Sequence, residues 1–477
     1  MPRAYRPFRT MAANGSSGET DAESYVTQPS FSLPEFTESS GDGDSSLGTP
    51  TSSSDETSSV SASSSNVSSS NASSSNVSSR DASSAAASSA ASSAAPSAPP
   101  AVPEPSPGTE MRAAWISFYD LSAAAGETGS KSAAKFKRNV RQMFADAKAL
   151  KMTDVVVHTR AESDAWYPSA YFPWATSLTG QLGKDPGFDP LAFMVTAAHE
   201  LGLKFHAWIN PYRVKLSYHG DINSLAPSNP ARIWKTDTDP SNDHWVFQRE
   251  NTLYYNPAVV EVQNLIINGV REIAARYSVD GIHFDDYFYP DNDVDIDKAA
   301  YAAYAAETLK PLSLDDWRRA HVSALVSGVY AAVKAADPKK LFGVSPVGNL
   351  DNVRHKLYVD IDRWLANKGY VDYIVPQVYW GFNYPEERFR FDLCCAEWTA
   401  LVKEPSIKLY FGLAGYKIGT IDANSSEWID HPDLLKRQVE FIRTISQCSG
   451  FMVYSLANLT KSDPLHTEAR NLFYSVM

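Results

Sequence analysis

From residue 110 to the C-terminus, short apolar β-type runs alternate with amphipathic stretches whose apolar residues recur every three to four positions. That alternation leaves little freedom: each run of strand then helix reads as a βα unit, and a series of such units needs a parallel sheet covered by helices. The pattern predicts strands over 111–119, 154–159, 204–209, 281–285, 341–345, 373–378, 408–413 and 450–455. It predicts helices over 132–150, 190–201, 257–277, 313–336, 361–368, 385–402, 431–445 and 463–475. Eight such repeats over roughly 365 residues fit the α/β class and a (β/α)8 TIM barrel with long insertions. A doubly wound open sheet is the alternative, but Tyr119-Asp-Leu-Ser-Ala follows the first strand where a glycine-rich phosphate loop would stand.

The N-terminal part is of another kind. From 41 to about 107 it is dominated by Ser, Ala, Pro, Asp and Asn, and a short unit recurs in SSSNVSSSNASSSNVSS at 63–79. Such a stretch buries too little apolar surface to offset the entropy of ordering its backbone, so residues 1–109 are expected to be a disordered tether and 110–477 the folded domain. The tether reads as an inert linker or as a spacer across a cell wall. The first residues, MPRAYRPFRTMAANGSSGE, are basic but lack an apolar stretch behind them, so they do not read as an intact signal peptide.

Charge and cysteine content exclude several functions. A net charge of −12 offers no basic face for phosphates, so nucleic acid is not an expected partner. Three cysteines, two of them the adjacent Cys394 and Cys395, make neither a disulfide framework nor a metal-ligand spacing. No apolar run reaches the roughly 18 residues of a membrane span. No cofactor is expected, and the chain is expected to act as a monomer.

In a barrel the side chains that follow each strand converge on one mouth. Here those positions are polar and aromatic: HTRAESDAWYPS at 158–169, HAWINPYR at 206–213, HFDDYFYP at 283–290, PQVYWG at 376–381, GLAGYK at 412–417 and YSLAN at 454–458. Aromatic faces stack on the apolar C–H faces of sugar rings while carboxylates and amides bond the hydroxyls, so a carbohydrate cleft is the natural inference. Each aromatic taken singly could equally fill the barrel core. Adjacent Asp285 and Asp286 leave an apolar strand, where burial without a role or partner would be costly. Strand alternation places Asp285 on the face of His283 and sends Asp286 into the loop. Glycosidic cleavage usually needs two carboxyls, and Asp285, Asp286, Asp164 and Glu162 are the candidates. Arg160 would hold a nearby carboxylate ionised. The competing reading makes these acids surface-loop or strand-end residues paired with Arg160. His158, His206 and His283 end three consecutive strands and raise a zinc site as a second possibility, though His206 and His283 are each more often hydrogen-bonded barrel residues.

The chain resembles the bacterial glycosyl-hydrolase-like family 10, also called the domain-of-unknown-function 187 group. The resemblance spans nearly all of 110–460 and rests on RAAW at 112–115, RAESDAWYPS at 160–169, FDP at 188–190, HAWINPY at 206–212, NP at 256–257, DGIHFDDYFYP at 280–290, SP at 345–346 and QVYW at 377–380. It implies a TIM barrel, a place outside the cytoplasm through a signal or lipoprotein sequence, and hydrolysis of glycan, peptidoglycan strands stripped of their peptides first among them. A more distant similarity joins the fourth strand to family 18 chitinases, whose D-x-x-D-x-D-x-E ends in the acid. Here Asp280, His283 and Asp285 are followed by Tyr287, so the acid would come from Asp286 or Glu162, with Asp285 steadying an acetamido group and Tyr379 helping to hold it. The sugar-binding set expected from both lines is Arg160, His206, Trp208, Asn210, Tyr212, His283, Tyr287, Gln377, Tyr379 and Trp380. The leading expectation is thus a glycoside hydrolase on a cell-wall or related polysaccharide. A polysaccharide-binding barrel without catalysis and a metal-dependent polysaccharide deacetylase are the alternatives.

Overall fold

Eight parallel strands close into a ring in chain order, the last pairing back on the first. The computed structural model describes residues 110–127, 130–285 and 288–477; the expected tether over 1–109 and two expected site residues, Asp286 and Tyr287, lie outside the described residues. The barrel strands are β1 (Met111–Ile116), β2 (Asp154–Arg160), β3 (Lys204–Ile209), β4 (Gly281–Phe284), β5 (Leu341–Val344), β6 (Tyr373–Ile374), β7 (Lys408–Leu413) and β8 (Cys448–Val453). The fold is the (β/α)8 barrel that the alternation predicts.

Helix ends follow local chemistry. Ser132, Asp189, Ser313 and Asp463 each accept a backbone N–H of the first turn of the helices Ala133–Ala149, Pro190–Glu200, Leu314–Ala336 and Pro464–Tyr474. Pro190 and Pro464 open their helices, where the missing N–H costs nothing. The expected first strand over 111–119 stops at Ile116 because Ser117 caps a helix, Phe118–Ala125, in a capping box with Asp120. The expected sixth strand shrinks to two residues. Pro376 lacks the N–H a longer ladder would need, and Gln377 beyond it makes only isolated bridges to Val347 and Gly412.

Two cores lie on the two faces of the strands. Ala114, Ile116, Val155, Val157, Phe205, Ile209, Ile282 and Phe284 pack outward against the helices, with Phe136, Val140, Leu191 and Ile266 facing them. Met111, Ala113, Trp115, Val156, Trp208, Tyr373, Tyr410 and Met452 fill the barrel. A three-stranded antiparallel sheet of Arg213–Lys215, Val246–Arg249 and Thr252–Tyr255, not expected from the sequence, sits in the long connection after β3. Among the described residues no helix is long and apolar enough to cross a membrane.

Candidate active site

The barrel interior is wired by hydrogen bonds whose direction can be read. Trp115 Nε1 donates to His283 Nε2 at 3.2 Å. That nitrogen therefore accepts, the His283 proton sits on Nδ1, and Nδ1 donates to the Tyr373 hydroxyl at 3.2 Å. The hydroxyl donates in turn to His206 Nδ1 at 3.0 Å, and His206 Nε2–H reaches Asp154 Oδ1 at 3.1 Å. Burial holds His283 well below the usual imidazole range, so His283 is neutral as the wiring requires. Burial would raise the Asp154 carboxyl, but the hydrogen bonds from His206 and from the Thr153 hydroxyl leave it lowered. The chain needs space: a Cβ on Gly281 would collide with the His206 ring, and one on Gly343 with Tyr373.

Above this chain the strand ends form the mouth. Asp285 follows β4 and is 7% exposed; Gln377 Nε2 donates to its Oδ1 at 3.2 Å and to the Ser345 carbonyl at 2.9 Å. Trp208 stacks on His158 with ring centres 3.3 Å apart and meets Tyr454 edge-on at 6.4 Å. Trp115 meets Tyr454 at 6.4 Å from the other side. Tyr379, Tyr416 and Tyr454 form a half-buried group with centres 5.6 to 6.5 Å apart. Burial, followed by the charges of Asp285 and Asp120, pushes the Tyr454 phenol up to about 12. Trp380 stacks on Phe389 at 4.9 Å, and its loop is tied down by Gln438, which donates to the Trp380 carbonyl, and by Glu427, which accepts the N–H groups of Phe382 and Asn383. A carboxylate between an amide donor and aromatic walls is suited to steady a developing positive charge or to move a proton at a sugar's anomeric centre.

The expected residues divide into those at the mouth and those elsewhere. Asp285, Gln377, Tyr379 and Trp380 stand at strand ends there, whereas Trp208, buried and in register with His283, lies in the barrel interior. His206 and His283 lie fully buried inside the barrel, beneath the mouth. Asn210 is fully buried and bonds the Ala161 carbonyl, with His158 Nε2 at 3.5 Å. Tyr212 lies in the outer core against Phe288. Arg160 is fully buried on the outer side, its guanidinium 4.5 Å over the Phe172 ring. Glu162 and Asp164 line a separate cavity of about 20 Å³ with Trp174, Lys215 and Ser224. There burial, then the Glu162 charge, raises the Asp164 carboxyl to about 7 against the pull of Lys215. Asp280 serves the other end of β4: it accepts the Phe205 N–H and pairs with His199 at 2.8 Å.

The three histidines do not converge. His158 Nδ1 accepts the Phe118 N–H at 3.1 Å, and the partners of the other two are those of the interior chain. Among the described residues no group of three or more His, Cys, Asp or Glu side chains is placed to hold a metal ion. Trp115, Tyr416 and Tyr454 stand in motifs quoted from the sequence, but neither they nor Asp120 were among the expected site residues. For Trp115 the signal was present, since strand alternation from Met111 and Ala113 points it inward.

With the site described, comparison with known proteins is decisive on kinship: the family model described as glycosyl hydrolase-like 10 matches residues 110–430. The chain belongs to the glycosyl hydrolase-like 10 family. It is 36% identical over 373 residues to the glycosyl hydrolase YngK of Bacillus subtilis (strain 168), covering 74% of this chain and 69% of the relative. It is 31% identical over 338 residues to the glycosyl hydrolase DigH of Escherichia coli (strain K12), covering 65% of this chain and 74% of the relative. The solved PgaB (BpsB) glycoside hydrolase domain of Bordetella bronchiseptica aligns with a TM-score of 0.49 at 16% identity, over 76% of this chain and 99% of that one. Within this family frame, Asp285 and Gln377 hold two of the quoted strand-end motifs, DGIHFDD and QVYW.

Proposed function

We propose that this glycosyl hydrolase-like 10 protein cleaves glycosidic bonds in a cell-wall polysaccharide outside the cytoplasm, with peptide-stripped peptidoglycan strands as the leading substrate. The observation that carries the reading is Asp285: a nearly buried carboxylate at the end of β4, oriented by Gln377 from beyond β6, at the barrel end that also carries Tyr379 and Tyr454. Burying a carboxylate is costly, and a position facing a cleft of aromatic rings gives that cost a use. Asp285 acts as the ionised partner of the carboxyl pair. Asp286, its chain neighbour, and Asp120, in the turn after β1, are the candidates for the proton donor. Tyr379 and Trp380 hold sugar rings by their faces.

The test is to incubate the full chain with peptide-free peptidoglycan strands, chitin oligomers and plant polysaccharides and to identify products by mass spectrometry. Fragments with new reducing ends are expected from the first of these. Asp285→Asn should lower their release by about a thousandfold, within the range of acid–base catalysis, while glycan binding survives. Retention of glycan without any fragment from the unaltered protein would replace hydrolysis with binding alone, and unchanged activity of the variant would remove Asp285 from the mechanism.

A further inference from the structure

We propose that Phe118 and Tyr119 form a distal sugar subsite at the β1 edge of the mouth, in which one pyranose ring of a glycan chain lies on the Tyr119 face; this deepens the glycan reading and rests on it. Tyr119 is 62% exposed, the most solvent-open tyrosine among the large apolar residues described. A single exposed aromatic is ordinary on a protein surface, but this one is unusually well held. Its ring lies 4.0 Å from that of Phe118 at a tilt of 35°. Phe118 in turn meets His158 edge-on at 5.6 Å, and its N–H is fixed by His158 Nδ1 at 3.1 Å. Ser117 and Asp120 lock the same turn: the Asp120 carboxylate accepts the Ser117 N–H and hydroxyl, both at 2.8 Å. Two strand ends, those of β1 and β2, therefore fix Phe118 and the turn that carries Tyr119 before any ligand arrives.

Its place ties it to the candidate active site. Phe118 and Tyr119 follow β1 at its C-terminal end, and Phe118 packs edge-on against His158, which stacks on Trp208. Tyr119 thus stands on the β1 side of the barrel end that carries Asp285, whereas Trp380 stands on the side of β6. An exposed ring held in place before binding loses little entropy on binding, which is the property that makes an aromatic platform effective for a sugar. A protein partner would need about 800 Å² of surface, far more than one pair of rings supplies, whereas a single sugar ring needs no more than the Tyr119 face.

The experiment compares the full chain with Tyr119→Ala and Tyr119→Trp on peptide-free peptidoglycan strands and on a disaccharide too short to reach the rim. Loss of the ring should raise KM for the strands about five- to tenfold, the scale of one aromatic stacking contact, with kcat within about twofold. Tryptophan should restore the unaltered KM, and the disaccharide should be cut equally by all three. Equal KM for the strands with and without the ring overturns the subsite. Should the unaltered chain cut none of the glycans, the hydrolase reading falls separately; strand binding by titration calorimetry then tests the subsite alone, and equal affinity of the unaltered chain and Tyr119→Ala overturns it.

Discussion

Gln377 on the β6 loop spans two strand ends with one amide nitrogen, donating to Asp285 at 3.2 Å and to the carbonyl of Ser345 at 2.9 Å. The backbone bond to Ser345 fixes the amide, so the proton offered to Asp285 has a set direction. Hydrogen bonds to charged groups are the stronger kind, and one that is pre-aimed needs no reorganisation during reaction.

Replacing Gln377 by Glu removes that donor and sets a second carboxylate against Asp285. Hydrolysis should fall about ten- to a hundredfold, the equivalent of one charged hydrogen bond. Like charge favours the protonated form, so the acid limb of the pH–rate profile should move to higher pH. A profile unshifted from that of the unaltered chain would show that the two side chains are not in contact during turnover.

Tyr373→Phe cuts the interior chain at its middle. It leaves His283 Nδ1 and His206 Nδ1 without the shared hydroxyl, two buried polar atoms unsatisfied. Urea unfolding should show a loss of about 1–3 kcal/mol. Gly343→Ala should destabilise by a similar amount through another cause, since its methyl would drive into the Tyr373 ring.

Arg318→Met tests how the segment after Asp285 is held. Arg318 is fully buried, forks onto Asp297 at 2.6 to 3.2 Å, and lies between the rings of Tyr289 and Tyr358 at 5.0 and 4.8 Å. Removing one partner of a buried pair strands the other charge, at a cost of about 3–5 kcal/mol. Adding Asp297→Asn should recover part of that loss in the same unfolding measurement.

Asp164 should give the folded state a pH dependence. Its carboxyl is raised from the ordinary value near 3.8 to about 7 by burial and by Glu162, with Lys215, the Thr176 backbone and Arg160 opposing. The folded chain holds this proton more tightly than the unfolded one. Its stabilisation is therefore full below about pH 4 and is lost as pH rises through about 7. Asp164→Asn should flatten the fall in melting temperature between pH 5 and pH 8, read at about 2–4 °C per kcal/mol. An unchanged slope would assign the proton elsewhere.

Much of the barrel is legible in the chain because β-strands and helices impose different periods, and eight alternations of the two admit few closed arrangements. The sheet in the 213–255 connection is not, since its strands are short and paired to one another across polar turns. Asp285, Gln377, Tyr379 and Trp380 are legible at the mouth for a related reason: each lies at or just beyond the C-terminal end of a strand whose direction is known. Arg160 shows where such counting stops. Even spacing from His158 predicts that both point inward, but the register between β2 and β3 shifts between these two residues, and Arg160 turns to the outer side against Phe172. One inserted step reverses the face of everything after it.

The sequence alone determined the order of elements, the inward phase of each strand before any irregularity, and the motifs that surround Asp285, because these depend on local periodicity and residue type. The tertiary structure alone decided that Trp115, His283, Tyr373, His206 and Asp154 join into one directed chain, and that Trp115 and Trp208 both meet Tyr454 edge-on. Those meetings join residues far apart in the chain, and only the closure of the barrel, with its stagger and its two register shifts, sets which side chains share a level.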